Sequence, residues 1–335
     1  LRSKKKGLKR QFALITVPTD KIDRFVILPD KDGKKFIILL DDVIRFCLGD
    51  IFSVFGYDSF SAYTIKFTRD AEMDIDNDVS KSFLELMSES VKQRKKGEPV
   101  RFVYDKKIPE ELLKLLMKKF EIGKRDNIRP GGRYHNFMDF MGFPSLDRSD
   151  LRYPPSPPLL HKDLPPHKSI LGVMREKDIM LHYPYQTFHY IIDLLREASI
   201  DPKVRAIKMT FYRAAEGSSV MNALINAARN GKQVTVFMEL QARFDEEANI
   251  YWTNRLQEEG IKIIQTIPGF KVHSKLLQIR RKENGENVYY ANISTGNFNE
   301  KTAKVYADDS LLTANQAITT EVNKVFHLFE SKFIM

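Results

Sequence analysis

From Val204 to Ile267 the chain alternates apolar runs with amphipathic ones at a regular spacing, and few folds accept that order. "VRAIKMTFYR" and "QVTVFMEL" are short and apolar almost throughout, the pattern of strands covered on both faces. Between them "SSVMNALINAARNG" reads as a helix with a serine N-cap and Gly231 as its stop. "DEEANIYWTNRLQEEG" reads as a second helix, ended by Gly260, before the strand "IKIIQTI". Strands separated by helices of this length require right-handed crossovers, and hence a parallel sheet. The pattern then changes: "KVHSKLLQIRR" and "NVYYANIST" are joined by Glu-Asn-Gly, a hairpin signal. The expected domain is therefore α/β with a mixed, mostly parallel sheet.

Upstream, "YPPSPPLLHKDLPPHKS" excludes helix interiors and central strands through its six prolines, and it marks a linker over 153–169. It divides the 335 residues into a first domain, 1–152, and a second, 170–335. In the first, β-rich runs ("KKFIILL", "SAYTIKFT", "PVRFVYD") mix with helical ones, "VSKSFLELMSESVKQRKKG" and "PEELLKLLMKKF", which makes it α+β. The aromatic-rich "YHNFMDFMGF" is expected in its core. No apolar run approaches the ~20 residues of a membrane span. The N-terminus shows neither an initiator methionine nor a signal-peptide core, so the chain is expected to be cut from something longer. A single cysteine, Cys47, cannot form an internal disulfide and suits a reducing compartment. No cysteine and histidine spacing of the zinc type occurs.

A formal charge of +10 points to a partner rich in negative charge, such as nucleic acid, an anionic membrane surface or a phosphate polymer. The runs at Lys4–Lys6 and in "KQRKKG" (92–97) read as solvated charge rather than as sites.

The chemistry concentrates in the second domain. If "PGFKVHSKLLQI" is a strand, Lys271, His273 and Lys275 share one face, and an imidazole stands among cations. A histidine flanked by solvated lysines would show the same pattern. Sites in parallel sheets form beyond the C-terminal strand ends, where Arg213 and Arg243 lie, and guanidinium forks grip phosphate oxygens in a bidentate way. Salt bridges to Glu239, Asp245 or Glu246 are the competing explanation. In "ISTGNFNEKTAKVYADDS", Gly296 with Thr295, Asn297 and Asn299 suits a donor-rich turn near a ligand, or simply a turn. Together these pieces suggest phosphoryl or phosphodiester transfer through a phosphohistidine.

"AIKMTFYR", "VFMELQARFDEEANI", "PGFKVHSKL" and "STGNFNEKTAKVYADD" resemble successive motifs of bacterial polyphosphate kinase, and "TRDAEMDID", "RKKGEPVRF" and "MREKDIMLHYPYQTF" extend the resemblance upstream. It covers the family's head domain and its first C-terminal, phospholipase D-like domain. The family's N-terminal and second C-terminal domains have no counterpart here, so full activity is not expected of this stretch alone. The resemblance implies reversible transfer of the terminal phosphate of ATP to a polyphosphate chain. His273 is then the phosphorylated histidine, with Lys275 as its catalytic neighbour and Lys271 on phosphate. Arg213 and Arg243 fall at the magnesium and phosphate site, where a guanidinium, having no lone pair, acts through phosphate rather than on Mg2+ itself. Tyr306 is assigned to the nucleotide base, with Asn297 and Asn299 beside it; a core aromatic is its bland alternative. The implied partners are ATP and ADP, polyphosphate and further copies of the chain as a dimer or tetramer, with no nucleic acid. The implied location is the cytoplasm, with attachment to the inner membrane surface left open.

Two other functions compete. A phospholipase D-type phosphodiesterase has His-x-Lys, four residues, then Asp, and later Gly-x-x-Asn. His273, Lys275, Gly296 and Asn299 fit, but Arg280 stands at the aspartate position and no second His-x-Lys occurs. A non-catalytic polyanion-binding module would account for the charge alone.

Overall fold

The computed structural model describes residues 1–3, 9–69, 84–85, 88, 99–123, 127–154, 156–215, 217–240, 242, 245–265 and 272–331. Contacts divide the chain into two compact units, Leu1–Met73 with Arg94–Pro154, and Asp74–Gln93 with Pro155–Met335. The change at Pro154 falls inside the proline-rich stretch.

In the first unit β1 (Phe25–Lys31) and β2 (Lys34–Leu39) form an antiparallel hairpin turned by Asp32 and Gly33, both at positive φ. Two short helices follow, α1 (Leu40–Phe46) and α2 (Leu48–Ile51). A second sheet sets β3 (Ile65–Arg69) antiparallel to β4 (Pro99–Asp105), which is parallel to β5 (Asn127–Gly131) through the crossover helix α3 (Glu110–Lys119). Phe67 packs on the fully buried Phe102 and on Phe120 beyond α3, with ring centroids 4.9 and 4.4 Å apart. The α+β expectation holds. The "KQRKKG" run and most of the expected helix over 79–97 lie outside the described residues.

The core expectation for "YHNFMDFMGF" fails: Phe137, Met138 and Met141 are 74%, 77% and 88% exposed. Phe137–Gly142 is a 3-10 helix in which side chains three apart eclipse, so Phe137 and Phe140 share one row and Met138 and Met141 another; the methionine row faces solvent and the phenylalanine row is covered only at its Phe140 end. Phe140 meets Phe25 edge-on, as does Phe143 just beyond the helix, each at 5.2 Å.

The second unit opens with α4 (Ile170–Glu176), whose Ser169 cap accepts from the Gly172 N–H. Next come β6 (Ile179–Tyr183), α5 (His189–Ile200), β7 (Val204–Phe211), α6 (Ser219–Arg229), β8 (Gln233–Met238), α7 (Glu246–Glu258) and β9 (Lys262–Gln265). The expected punctuation is present. Ser218 accepts from Met221 N–H at 3.3 Å, and Gly231 and Gly260 adopt φ of 77° and 73° just past their helices. The hairpin of β10 (Lys275–Glu283) and β11 (Glu286–Ser294) turns at Asn284 and Gly285, again at positive φ. Strand β12 (Asp308–Thr313) and helix α8 (Gln316–Glu330) complete the unit.

The sheet order is β6-β12-β11-β10-β7-β8-β9. It is mixed, as expected, but its balance needs correcting. Five strands run in one direction, yet only the β7–β8 and β8–β9 pairings are parallel, because β10 and β12 run the other way and separate the rest. Both faces are covered. One carries the large core that includes Leu277, Ile279, Val234 and Val236 with helices α4 to α7; the other packs Phe237, Leu276 and Ala291 against Val322 and Phe326 of α8.

Candidate active site

One edge of the seven-stranded sheet gathers nearly every chemistry-bearing loop, and the pairing registers dictate this. β7 and β8 run parallel and end together at Phe211 and Met238. β10 is antiparallel to β7 with Leu277 opposite Met209, so it begins where β7 ends. β11 finishes at Ser294 opposite Lys275, while β12 starts at Asp308 opposite the last residue of β6, Tyr183.

His273 stands on this edge but not on a strand. The ladder of β10 begins at Lys275, which corrects the expectation that Lys271, His273 and Lys275 share a strand face. His273 is exposed, whereas Lys275 is 6% exposed; Lys271 lies outside the described residues. The segment is held by side chains instead of a ladder. Glu239 Oε2 accepts the Val272 N–H at 3.2 Å, and the Lys275 ammonium donates to the His273 carbonyl. Thr210 Oγ1 donates to the Ser274 carbonyl at 2.7 Å and accepts the Leu276 N–H at 2.9 Å.

The imidazole meets the Tyr212 ring edge-to-face, with centroids 4.8 Å apart and planes at 80°. The Lys275 ammonium lies 5.6 Å from the centre of that ring and the Arg213 guanidinium 5.7 Å. Two cations and the imidazole thus converge on one tyrosine. Tyr212 is fixed in turn through Asn249, whose amide donates to the Tyr212 and Glu239 carbonyls at 3.0 and 2.8 Å and accepts from the Ala214 N–H at 3.2 Å.

Arg213 does form one of the salt bridges that compete with phosphate binding, Nε to Asp245 Oδ2 at 3.2 Å, with both side chains partly exposed. Burial raises the Asp245 carboxyl above its ordinary pKa; the Arg213 charge opposes this and Glu246 adds to it. A single, partly exposed ion pair of this kind contributes little, so it does not tie Arg213 to Asp245 alone. Arg243 lies outside the described residues.

The turn after β11 is built on a close approach. Thr295 Oγ1 donates to Asp308 Oδ1 at 2.8 Å and accepts the Asp309 N–H at 3.0 Å. A Cβ at Gly296 would lie within 2.4 Å of Asp308 Oδ2, so glycine is required by space. Asn297 Oδ1 is buried with no hydrogen-bond partner among the described residues. Asn299 Oδ1 accepts from the Lys301 and Thr302 N–H groups at 3.0 and 3.2 Å, so it shapes the turn. Tyr306 is 61% exposed, which excludes the core-aromatic alternative. Arg280 is engaged elsewhere, donating to Gln233 Oε1 at 3.2 Å. No group of three or more His, Cys, Asp or Glu that could hold a metal ion occurs among the described residues.

Sequence reasoning missed the roles of Tyr212, Thr210 and Glu239. Glu239 carried a signal: a carboxylate closing an apolar strand run must find partners once buried, and it is fully buried. Tyr212 and Thr210 carried none, since each acts on a segment more than sixty positions away.

Family models match residues 1–143 as "Polyphosphate kinase middle domain" and 169–333 as "Polyphosphate kinase C-terminal domain 1". Polyphosphate kinase of Escherichia coli K12 is 50% identical over 328 residues, 96% of this chain and 48% of that protein. The Vibrio parahaemolyticus polyphosphate kinase is 51% identical over 326 residues, 96% of this chain and 47% of its own length. The chain therefore spans about half the length of the curated relatives it matches. The crystal structure of polyphosphate kinase from Porphyromonas gingivalis superposes with a TM-score of 0.74 at 36% identity, covering 96% of this chain and 46% of that one.

Proposed function

This chain belongs to the polyphosphate kinase family, and on that premise we propose that it carries the phosphoryl-transfer centre of an ATP:polyphosphate phosphotransferase, with His273 as nucleophile. The observation that carries the reading is the exposed imidazole of His273, on a backbone held at Val272 and at its own carbonyl, set with Lys275 and Arg213 around Tyr212. A neutral ring nitrogen attacks the terminal phosphorus of ATP; the N–P bond forms as the bridging P–O bond breaks, and ADP leaves with the electron pair. A terminal oxygen of polyphosphate then attacks the phosphohistidine, the N–P bond breaks, and the chain is one phosphate longer. Arg213 and Lys275 offset charge on the phosphoryl oxygens, and Lys271 and Arg243 are assigned the same task. Tyr306, with Asn297 and Asn299 beside it, faces the nucleotide in this reading.

The described residues offer no cage for Mg2+, and guanidinium groups do not ligate it. In this reading Mg2+ arrives bound to the phosphate oxygens of ATP as part of the substrate, as is usual for an ion that keeps most of its water. No described helix is long and apolar enough to cross a membrane. We place the enzyme in the cytoplasm as a homo-oligomer; the exposed Phe137, Met138 and Met141 supply apolar surface for self-association.

The test mixes labelled ATP with polyphosphate and follows transfer of the terminal phosphate in both directions. Transfer that requires nucleotide supports the kinase. Hydrolysis of a phosphodiester without nucleotide would install the phosphodiesterase, and polyanion binding without any transfer would leave only a binding module.

A further inference from the structure

Far from the reacting edge, the sheet face that carries α8 is covered only in part. Phe326 packs on Phe237 at 5.3 Å, but two residues back along β8 the surface turns polar and opens into a groove of about 690 Å³. Lys262, Thr235, Lys208 and Gln278 are directly paired across β9, β8, β7 and β10, so they form one row on a single face. At ~4.8 Å per strand the row runs ~14 Å. Arg280 lies two residues further along β10, and Lys232 immediately precedes β8. Four cations thus meet a single carboxylate, Glu330, which pairs with Lys208 at 2.9 Å. Lys232 donates to the Asp201 carbonyl at 2.5 Å and feels the Asp201 carboxylate, which is itself paired with Arg281, while Arg280 donates to the neutral Gln233 amide.

We propose that this groove is a second polyphosphate site, which holds the body of a long chain while its end reacts at His273. This rests on the function proposed above. A linear polymer with a charge on every unit suits a groove in which Lys262 and Lys208 alternate with the polar Thr235 and Gln278 along one row and Lys232 and Arg280 flank it. A protein partner would need large apolar anchors that the groove lacks, and single-stranded nucleic acid would need a run of stacking rings, whereas Tyr289 and His327 are the rings on its lining. The row is separate from the reacting centre: Lys208 lies five residues from Arg213, ~16 Å along the sheet, with the Phe237, Leu276 and Phe326 cluster between. Holding the polymer there keeps its end at high local concentration between transfers.

The test compares the 335-residue chain with its Lys262→Glu/Arg280→Glu variant, and with the milder Lys262→Gln/Arg280→Gln, after thermal melts establish that each is folded. Long-chain polyphosphate and tripolyphosphate are titrated at two ionic strengths. Long-chain affinity is expected to fall ~10-fold or more in the charge-reversed variant, less in the neutral one, with a shallower salt dependence. Tripolyphosphate, too short to occupy both places, should change by less than about twofold. Unchanged long-chain affinity, or an equal loss for tripolyphosphate, overturns the proposal, as does single-stranded RNA that displaces polyphosphate from the parent chain but not from the variant. Phosphoenzyme formation from ATP in the full-length enzyme is read in parallel. Its absence in parent and variant alike removes the His273 reading, while the titrations still decide whether the groove binds the polymer.

Discussion

Replacing Gly296 by alanine should disrupt the site edge through one identifiable clash. The new Cβ would lie 2.4 Å from Asp308 Oδ2, 2.5 Å from its Cγ and 2.7 Å from its Cβ. Rotating the aspartate removes the first two contacts but not the third, because the Asp308 Cβ is fixed to the backbone. Ordinary contact begins at 3.4 Å, so the chain must part by about 0.7 Å where β11 gives way to β12. Overpacking of this kind costs about 1–3 kcal/mol, and displacing Asp308 from Thr295 adds about 1 kcal/mol. Gly296→Ala should therefore lose about 2–4 kcal/mol in urea unfolding and slow phosphoryl transfer, since Asn297 shifts with the turn. Asp308→Ala, which keeps the Cβ, should rescue only part. In an Asp308→Gly background the same alanine should be neutral, or stabilising by about 0.4–1 kcal/mol, because Gly296 is not in the left-handed region. Wild-type stability and rate in Gly296→Ala alone would refute the reasoning.

Arg213→Lys and Arg243→Lys keep the charge but lose the fork, so each should slow transfer ~10-fold or more, about 1.4 kcal/mol; wild-type kinetics would assign Arg213 to Asp245 alone. Glu239→Ala leaves the buried Val272 N–H without its acceptor, at a cost of about 1–3 kcal/mol in stability and a lower kcat, while Glu239→Gln, which can still accept, should recover most of both. At Asp42 burial works to raise the pKa, but hydrogen bonds from Tyr134 and Arg45 and the charge of Arg133 prevail and hold the carboxyl below its ordinary 3.8. Its contribution is thus complete above the unfolded pKa and disappears as pH falls through the lowered folded one. Tyr134→Phe should cost about 1 kcal/mol at neutral pH and little in acid, by urea unfolding at both. An equal loss at the two pH values would contradict that assignment.

Much of the second unit could be read from local pattern, because its helix stops, caps and hairpin turn depend on neighbouring residues. Ser218, Gly231, Gly260 and the Asn284–Gly285 turn sit where the pattern puts them. The strand ends carrying Arg213 and the His273 segment also meet on one edge as expected, since pairing direction follows from connection length. What escaped was set by distant partners. Thr210 captures backbone 64 positions away, and Glu239 reaches 33 to Val272, so the stretch before Lys275 is held without a ladder. Alternation along "KVHSKLL" carries no trace of either. The exposed face of Phe137–Gly142 has a related cause: composition does not show which residues of a 3-10 turn meet a distant partner, here only Phe140, with Phe143 beyond it, against Phe25.

The central claim is that His273 carries the phosphoryl group, and the phosphoenzyme itself tests it most directly. Full-length enzyme containing this chain is incubated with ATP and magnesium, quenched, and mapped for phosphate by peptide mass. The account predicts an acid-labile, base-stable phosphate on His273, absent in His273→Ala and retained in His135→Ala, a histidine of the other unit. Undiminished labelling of the His273→Ala enzyme, or phosphate mapped to any other residue, would contradict it.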